Sequence, residues 1–318
     1  RRQRQMCIRD SYYFMKKTFV FLCFLLIGIS QVLYAEKPKA KHVVLIALDG
    51  WGAYSVPKAK DIPHISQLMA EGCYTLKKRS VLPSSSAINW ASMFNGAATE
   101  IHGYTQWGSK TPEIPSRVLN KHGVFPTIFS ILQEQKPELK TACLYEWDGI
   151  KYLIDSLAVS HHALAPDYAN HPTLLCEMAE QYIKAERPHF IAVCFDQLDH
   201  TGHDAGHDTP SYYDKLKELD SYAGRIMQAV KDAGMWEDTI IMMTSDHGGI
   251  KTGHGGITLE EMETPFIIAG KNVKRGGEFE ESMMQYDTAS TIAYIFGVKQ
   301  PQVWVGRPMT QVFNKGLK

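Results

Sequence analysis

TIIMMTSDHGGIKTGHGG, residues 239–256, joins a short apolar run to a glycine-rich tail that carries Asp246, His247 and His254. A run without polar alternation reads as a strand buried on both faces, the kind that parallel sheets use. Two other segments are built the same way. HVVLIALDG (42–50) ends at Asp49-Gly50, and HFIAVCFDQLD (189–199) ends at Asp199 and leads into DHTGH, which adds His203. Further strands are expected at 141–147 and 265–270. Helical patterns separate them at 61–72, with Asp61 as its cap, and at 126–135, 171–186, 210–234 and 287–297. In the longest, Leu216, Leu219, Tyr222, Ala223, Ile226, Met227 and Val230 recur at i, i+3 and i+4, so one face is apolar. Strands alternating with helices predict an α/β fold, a three-layer α/β/α sandwich around a mostly parallel central sheet. No repeat or compositional break follows residue 40, so residues 36–318 read as a single large α/β domain. Loops 97–125 and 148–170 are the longest irregular stretches and the expected seat of specificity.

Lys and Arg number 34, as do Asp and Glu. No overall basic field argues for a nucleic-acid-binding surface. Residues 1–35 stand apart. Met15-Lys16-Lys17 precede the apolar stretch TFVFLCFLLIGISQVLYA, which ends on Ala35. That layout is a secretory signal peptide, Met15–Ala35, so the mature chain is expected to be exported, periplasmic or extracellular. Its apolar core is short for a membrane span, so no stable span is expected in the mature form, with an uncleaved anchor as the alternative. The leader holds six basic residues and one acidic residue, which leaves 28 against 33, a net of −5. Beyond it, Cys73, Cys143, Cys176 and Cys194 form no CxxC and no compact spacing. Buried thiols are expected rather than disulfides or metal ligands.

In open α/β sheets, ligands bind beyond the carboxyl ends of the strands. Asp49, Asp199 and Asp246-His247 each follow such an end, with His203 and His254 close behind in sequence. An Asp/His set without Cys suits zinc, manganese or iron with open coordination positions, not a closed structural zinc site. Six side chains are enough for two divalent ions, Zn2+ first and Mn2+ second. His200, Asp204, His207 and Asp208 read as solvated loop residues, with outer support of the ligands as the alternative.

A nucleophile is expected in VLPSSSAINWASMFNG (81–96). Ser86 opens an apparent helix whose N-terminus favours a phosphate, and a bound metal would acidify its hydroxyl. Asn89, one turn later, and the Ala87 N–H are expected to hold a phosphoryl oxygen. Pro83-Ser84-Ser85-Ser86 is also what a plain helix cap looks like, and Ser85 stands second as nucleophile.

The order of these motifs resembles the alkaline phosphatase superfamily: Asp-Gly after the first strand, a hydroxyl residue with Asn three later, NG…EIHG (95–103), DxxGH, SDHG and GHGG. Ser86-Ala-Ile-Asn89 is most similar to the nucleotide pyrophosphatase/phosphodiesterase branch. There a Thr or Ser nucleophile is followed by an Asn that contacts the phosphoryl oxygen. The resemblance implies an alkaline phosphatase-like domain with one metal held by Asp49, Ser86, Asp246 and His247. It implies the other on Asp199, His203 and His254. The sulfatase Cys/Ser-x-Pro-x-Arg segment is absent, and the Asp-Ser-Ala triplet of true alkaline phosphatases reads Ser85-Ser86-Ala87.

The expected function is therefore a two-metal phosphoric ester hydrolase, a phosphodiesterase/nucleotide pyrophosphatase acting through a phosphoseryl intermediate on Ser86. Its substrate would be a small phosphate ester such as a nucleotide. A phosphomonoesterase, a sulfatase or phosphonate hydrolase, and an inactive binding module are the alternatives. Tyr104, Trp107, Tyr145 and Trp147 are candidates to line the substrate pocket, against a role in packing.

Overall fold

Strand β1 (His42–Leu48) is buried from Val43 onward, as its unbroken apolar sequence requires. In the computed structural model, which describes residues 38–314, β1 pairs in parallel with β5 (Phe190–Phe195) and with β6 (Thr239–Thr244). Its side chains alternate between two cores. Val43, Leu45 and Ala47 pack with α2 (Ser86–Asn95), α4 (Ile128–Gln135) and α9 (Asp287–Phe296). Val44, Ile46 and Leu48 pack with α1 (Pro63–Glu71), α5 (Leu174–Glu186) and α7 (Pro210–Asp232). Each such aliphatic side chain contributes about 1.5–3 kcal/mol on burial, which is what holds helices to both faces. All seven residues of the apolar stripe expected on α7 are buried.

The sheet has eight strands in the order β4–β3–β5–β1–β6–β7–β2–β8. The outer members are β3 (Thr141–Tyr145), β4 (His161–Leu164), β7 (Glu263–Gly270), β2 (Cys73–Arg79) and β8 (Gly277–Glu278). Only β7 runs against the others, antiparallel to both β6 and β2. The three-layer α/β/α sandwich is as expected. The sequence reading missed β2, β4 and β8. The leader expected at 1–35 lies outside the described residues.

Two local expectations are corrected. Strand β5 stops at Phe195, and Asp199 sits in a helix, α6 (Gln197–Ala205), instead of at a strand end. Asp61 does not cap α1. It takes a positive φ of 56° and pairs with Lys217 at 3.0 Å. The free N–H groups of α1 go instead to Asp220 on α7, from Ile65 at 2.7 Å and His64 at 3.2 Å. Pro63 at the helix start needs no partner for its nitrogen. The four cysteines are free and buried. No helix among the described residues is long and apolar enough to cross a membrane.

Candidate metal and catalytic site

Because β5, β1 and β6 are parallel neighbours, their carboxyl ends open on one rim. The Asp49 N–H still belongs to the ladder, bonded to Phe195 O at 2.8 Å, while its side chain points past it. Nε2 of His247 lies 3.3 Å from Asp49 Oδ1, 3.3 Å from Asp246 Oδ2 and 3.1 Å from Ser86 Oγ. On α6 the i, i+4 spacing puts Asp199 and His203 on one face. There Asp199 Oδ2 stands 3.1 Å from His203 Nε2 and 3.8 Å from His254 Nε2. The rings of His247 and His254 stack at 3.8 Å and join the two groups. All seven residues expected as ligands are brought together. Gly50, with φ 70°, is what lets β1 and α6 approach, since a Cβ there would meet Asp199 Oδ1 at 2.6 Å.

Each histidine is aimed from behind. Nδ1 of His247 faces Gly248 O at 2.7 Å, that of His203 faces Thr252 O at 2.8 Å, and that of His254 faces Ser84 O at 3.2 Å. A carbonyl only accepts, so Nδ1 carries the proton and Nε2 is the atom turned to the carboxylates. The carboxylates are aimed likewise. Trp90 Nε1–H donates to Asp49 Oδ2 at 3.0 Å. Asp246 Oδ1 accepts from Gly50 N at 3.2 Å and from His247 N at 2.8 Å. The opposite oxygens, Asp49 Oδ1 and Asp246 Oδ2, and also Asp199 Oδ1, are buried without a hydrogen bond.

Electrostatics points the same way. Burial, then the charges of Asp246 and Asp199, push Asp49 well above the carboxylate range. Burial and Asp199 push Asp246 up to about 8. Burial pulls His247 down to about 3, with His254 adding to the effect, and lowers His254 as well. Burial also works against ionisation of Asp199, but the hydrogen bond from His203 and the imidazoles around it prevail and hold it below its usual value. His203 rises to about 9 through that bond. Three crowded buried carboxylates facing the lone pairs of His247 and His254 repel one another, and a divalent cation among them relieves this. The orphaned oxygens, the neutral imidazoles of His247 and His254, and the absence of thiolate fit two such ions, one of which would displace the Nε2 proton that His203 shares with Asp199.

The three serines divide the work. Ser84 Oγ donates to Gly256 O at 2.7 Å. Ser85 occupies the N-cap of α2 without making a cap bond, and Ser86, the first helical residue, turns its Oγ to His247. The expected phosphoryl donors are corrected. Ala87 N–H is taken by Trp107 O at 3.1 Å. Asn89 is fully buried; its Oδ1 accepts from Val81 N at 2.7 Å and its Nδ2 faces the carbonyls of Val81, Pro83 and Ser85, each at 3.1 Å. Segment 81–85 folds over the first turn of α2 and presents backbone groups that need partners. Asn89 supplies them and thereby holds the serine loop.

The sequence profile of the family described as Type I phosphodiesterase / nucleotide pyrophosphatase matches residues 43–265. The chain belongs to this family. Its place is in the alkaline phosphatase superfamily, on the nucleotide pyrophosphatase side. Bis(5'-adenosyl)-triphosphatase enpp4 of Mus musculus is 24% identical over 66% of this chain and 47% of its own length. Ectonucleotide pyrophosphatase/phosphodiesterase family member 5 of Homo sapiens is 22% identical over 74% of this chain and 50% of its own length. The chain thus spans about half the length of these curated relatives. Among solved structures, the murine family member 5 superposes with a TM-score of 0.68 at 13% identity, covering 86% of this chain and 100% of that one. A 2-O GAG sulfatase superposes at 0.70 with 14% identity, covering 87% and 74%. A second murine family member 5 structure is a complex with AMP.

Around this phosphodiesterase-family centre lie residues the sequence reading missed. Lys78 on β2 is wholly buried and donates to Ser245 O at 2.6 Å and to Gln285 Oε1. Gln285 Nε2 in turn reaches Ser245 O and Asn89 O, both at 3.2 Å. One cation thus ties the loop bearing Asp246 and His247 to the helix bearing Ser86, although burial lowers its pKa to about 7. The sequence signal was a lysine inside CYTLKKR, which reads as surface. His207 also departs from expectation, because it is buried. His200 and Asp204 are an exposed pair at 3.2 Å, and Asp208 pairs with Lys58 at the surface. Of the four aromatics, Tyr104 and Tyr145 are core residues and Trp147 packs half-buried against the core. Trp107 is 68% exposed, and its carbonyl sits on the residue after Ser86.

Proposed function

We propose that this chain is an exported, two-metal phosphodiesterase acting on small nucleotide esters, with Ser86 as its nucleophile. The observation that carries the reading is Ser86 Oγ at 3.1 Å from His247 Nε2, on the rim where three buried carboxylate oxygens have no partner. Asp49, Ser86, Asp246 and His247 would hold one divalent ion, zinc or manganese, and Asp199, His203 and His254 the other. Bound there, the ions would neutralise the phosphoryl charge and lower the Ser86 hydroxyl pKa.

Ser86 Oγ bonds to phosphorus, and the departing alcohol oxygen takes the electrons of the broken ester bond and, in balance, the proton that Ser86 gives up. The result is a phosphoseryl intermediate. Water then attacks phosphorus, releases the remaining phosphate ester and restores the Ser86 hydroxyl. Asn89 and Lys78 keep the serine loop and the Asp246-His247 loop in register while this happens. Nucleotide preference is supported by the AMP complex of the murine relative and by Trp107, an exposed aromatic residue whose carbonyl accepts from the Ala87 N–H next to Ser86. Export rests on the Met15–Ala35 signal pattern, and residues 36–318 are taken as the catalytic domain.

The test compares bis-p-nitrophenyl phosphate, p-nitrophenyl phosphate and p-nitrophenyl sulfate on zinc-loaded protein. The diester should turn over fastest, and Ser86→Ala should keep both metals while losing about 10³-fold or more in kcat. A faster monoester makes the protein a phosphomonoesterase. No turnover with two metals bound makes it a binding module.

A further inference from the structure

His207 lies in the loop sequence GHD, flanked by two residues of positive φ, Gly206 at 94° and Asp208 at 60°. Its backbone N–H is held by Lys251 O at 2.6 Å. Together these turn the imidazole inward, where its side chain is completely covered. The ring lies across two glycines. A Cβ on Gly202 would meet it at 2.4 Å and one on Gly249 at 2.3 Å. Gly202 belongs to DHTGH and Gly249 to SDHGG, so both ligand-bearing segments leave the space that this ring fills. On its other side it packs at 5.4 Å against the ring of Tyr212, whose hydroxyl is bonded to Gly50 O at 2.8 Å.

Neither ring nitrogen of His207 has a hydrogen-bond partner, although both are buried. Nε2 stands 3.8 Å from Asp199 Oδ1, which is itself buried and unpartnered. The other oxygen of that carboxylate, Oδ2, faces His203 and His254. Two orphaned polar atoms thus face each other across a gap slightly too long for a hydrogen bond. Leaving such groups unpaired is destabilising, and a phenylalanine or leucine would fill the space without that cost.

We infer that His207 is a positioning residue of the metal site: its Nε2–H donates to Asp199 Oδ1 and so presents Oδ2 to the ion shared with His203 and His254. This rests on the two-metal reading proposed above. A neutral imidazole has one N–H to give, and Asp199 Oδ1 is the unpartnered acceptor that Nε2 faces. Partners of this kind behind a ligand typically change metal affinity by about 10- to 100-fold.

The experiment measures zinc content and zinc affinity, by elemental analysis and chelator competition, for wild type, His207→Leu and His207→Gln. Wild type should bind two zinc ions. His207→Leu should keep one at unchanged affinity and bind the other about 10- to 100-fold more weakly. His207→Gln, whose amide can donate to Asp199, should recover most of the loss. Unchanged affinities in a folded His207→Leu protein overturn the inference and leave the two-metal reading intact, whereas a wild type that binds no zinc overturns that reading itself. Should His207→Leu not fold, nitrogen-15 NMR of the zinc-loaded wild type decides. A protonated Nε2 on His207 supports the assignment, and a deprotonated one, meaning direct ligation or no donor, overturns it.

Discussion

At the scale of single residues, the site is a set of aimed atoms. The residues that meet at the rim were legible because each motif couples a carboxylate or imidazole to a nearby glycine in the right chain order. The supporting residues were not. Asn89 was legible as present, but the direction of its carboxamide depends on segment 81–85 folding back over α2, which no local pattern announces. Lys78 was hidden because a buried cation is the exception that burial statistics teach one to discount. Lys78→Met should keep the fold and metal content yet lower kcat by about 10- to 100-fold with KM little changed, since sub-ångström drift of the Ser245–His247 loop is enough. Steady-state kinetics on the diester checks this. Trp107→Ala should raise KM for thymidine 5'-(p-nitrophenyl phosphate) by about tenfold or more, a loss of one stacking contact, and leave KM for ethyl p-nitrophenyl phosphate nearly unaltered.

At the scale of elements, central strands and long helices could be read directly because periodicity is strongest where burial is complete. The edges could not. β4 is HHAL and β2 is CYTLKKR, both polar in composition because strands near the sheet edge need less apolar cover. The start of α1 shows how tertiary structure overrides local chemistry. Asp61 looks like a cap and is instead a surface partner of Lys217, while Asp220, far along the chain, accepts the N–H groups of His64 and Ile65. Asp220→Ala should destabilise the protein by about 1–2 kcal/mol. Thermal melting should show a drop of several degrees with kcat unchanged, which separates helix docking from catalysis.

At the scale of the whole molecule, periodicity predicts which segments are strands but not which way they run. The β6–β7 connection is long enough for either direction, so the reversal of β7 was not legible. Just past the carboxyl end of β3, Glu146 is buried and raised to about 8 by desolvation, against the opposing hydrogen bonds from the Gln197 side chain and the Asp196 N–H. The folded state therefore holds a proton that the unfolded chain gives up at its ordinary value of 4.5. Between these values the native form binds more protons, so stability falls as pH rises through this window, by at most about 1.4 kcal/mol per pH unit. Urea titrations at pH 5, 6.5 and 8 should show this slope, and Glu146→Gln should flatten it. Chelation should lower the melting temperature and added zinc restore it, because an ion at 1,000 times its dissociation constant stabilises the native state by about 4 kcal/mol. Strand β1 occupies the middle of the sheet, yet its two neighbours are residues 190–195 and 239–244. During synthesis the first apolar segment of the domain therefore emerges long before either of the strands it pairs with. The two edges of that strand are not both paired until nearly two hundred further residues have left the ribosome, and slow, concentration-sensitive refolding in the test tube is the expected consequence of putting the earliest strand at the centre.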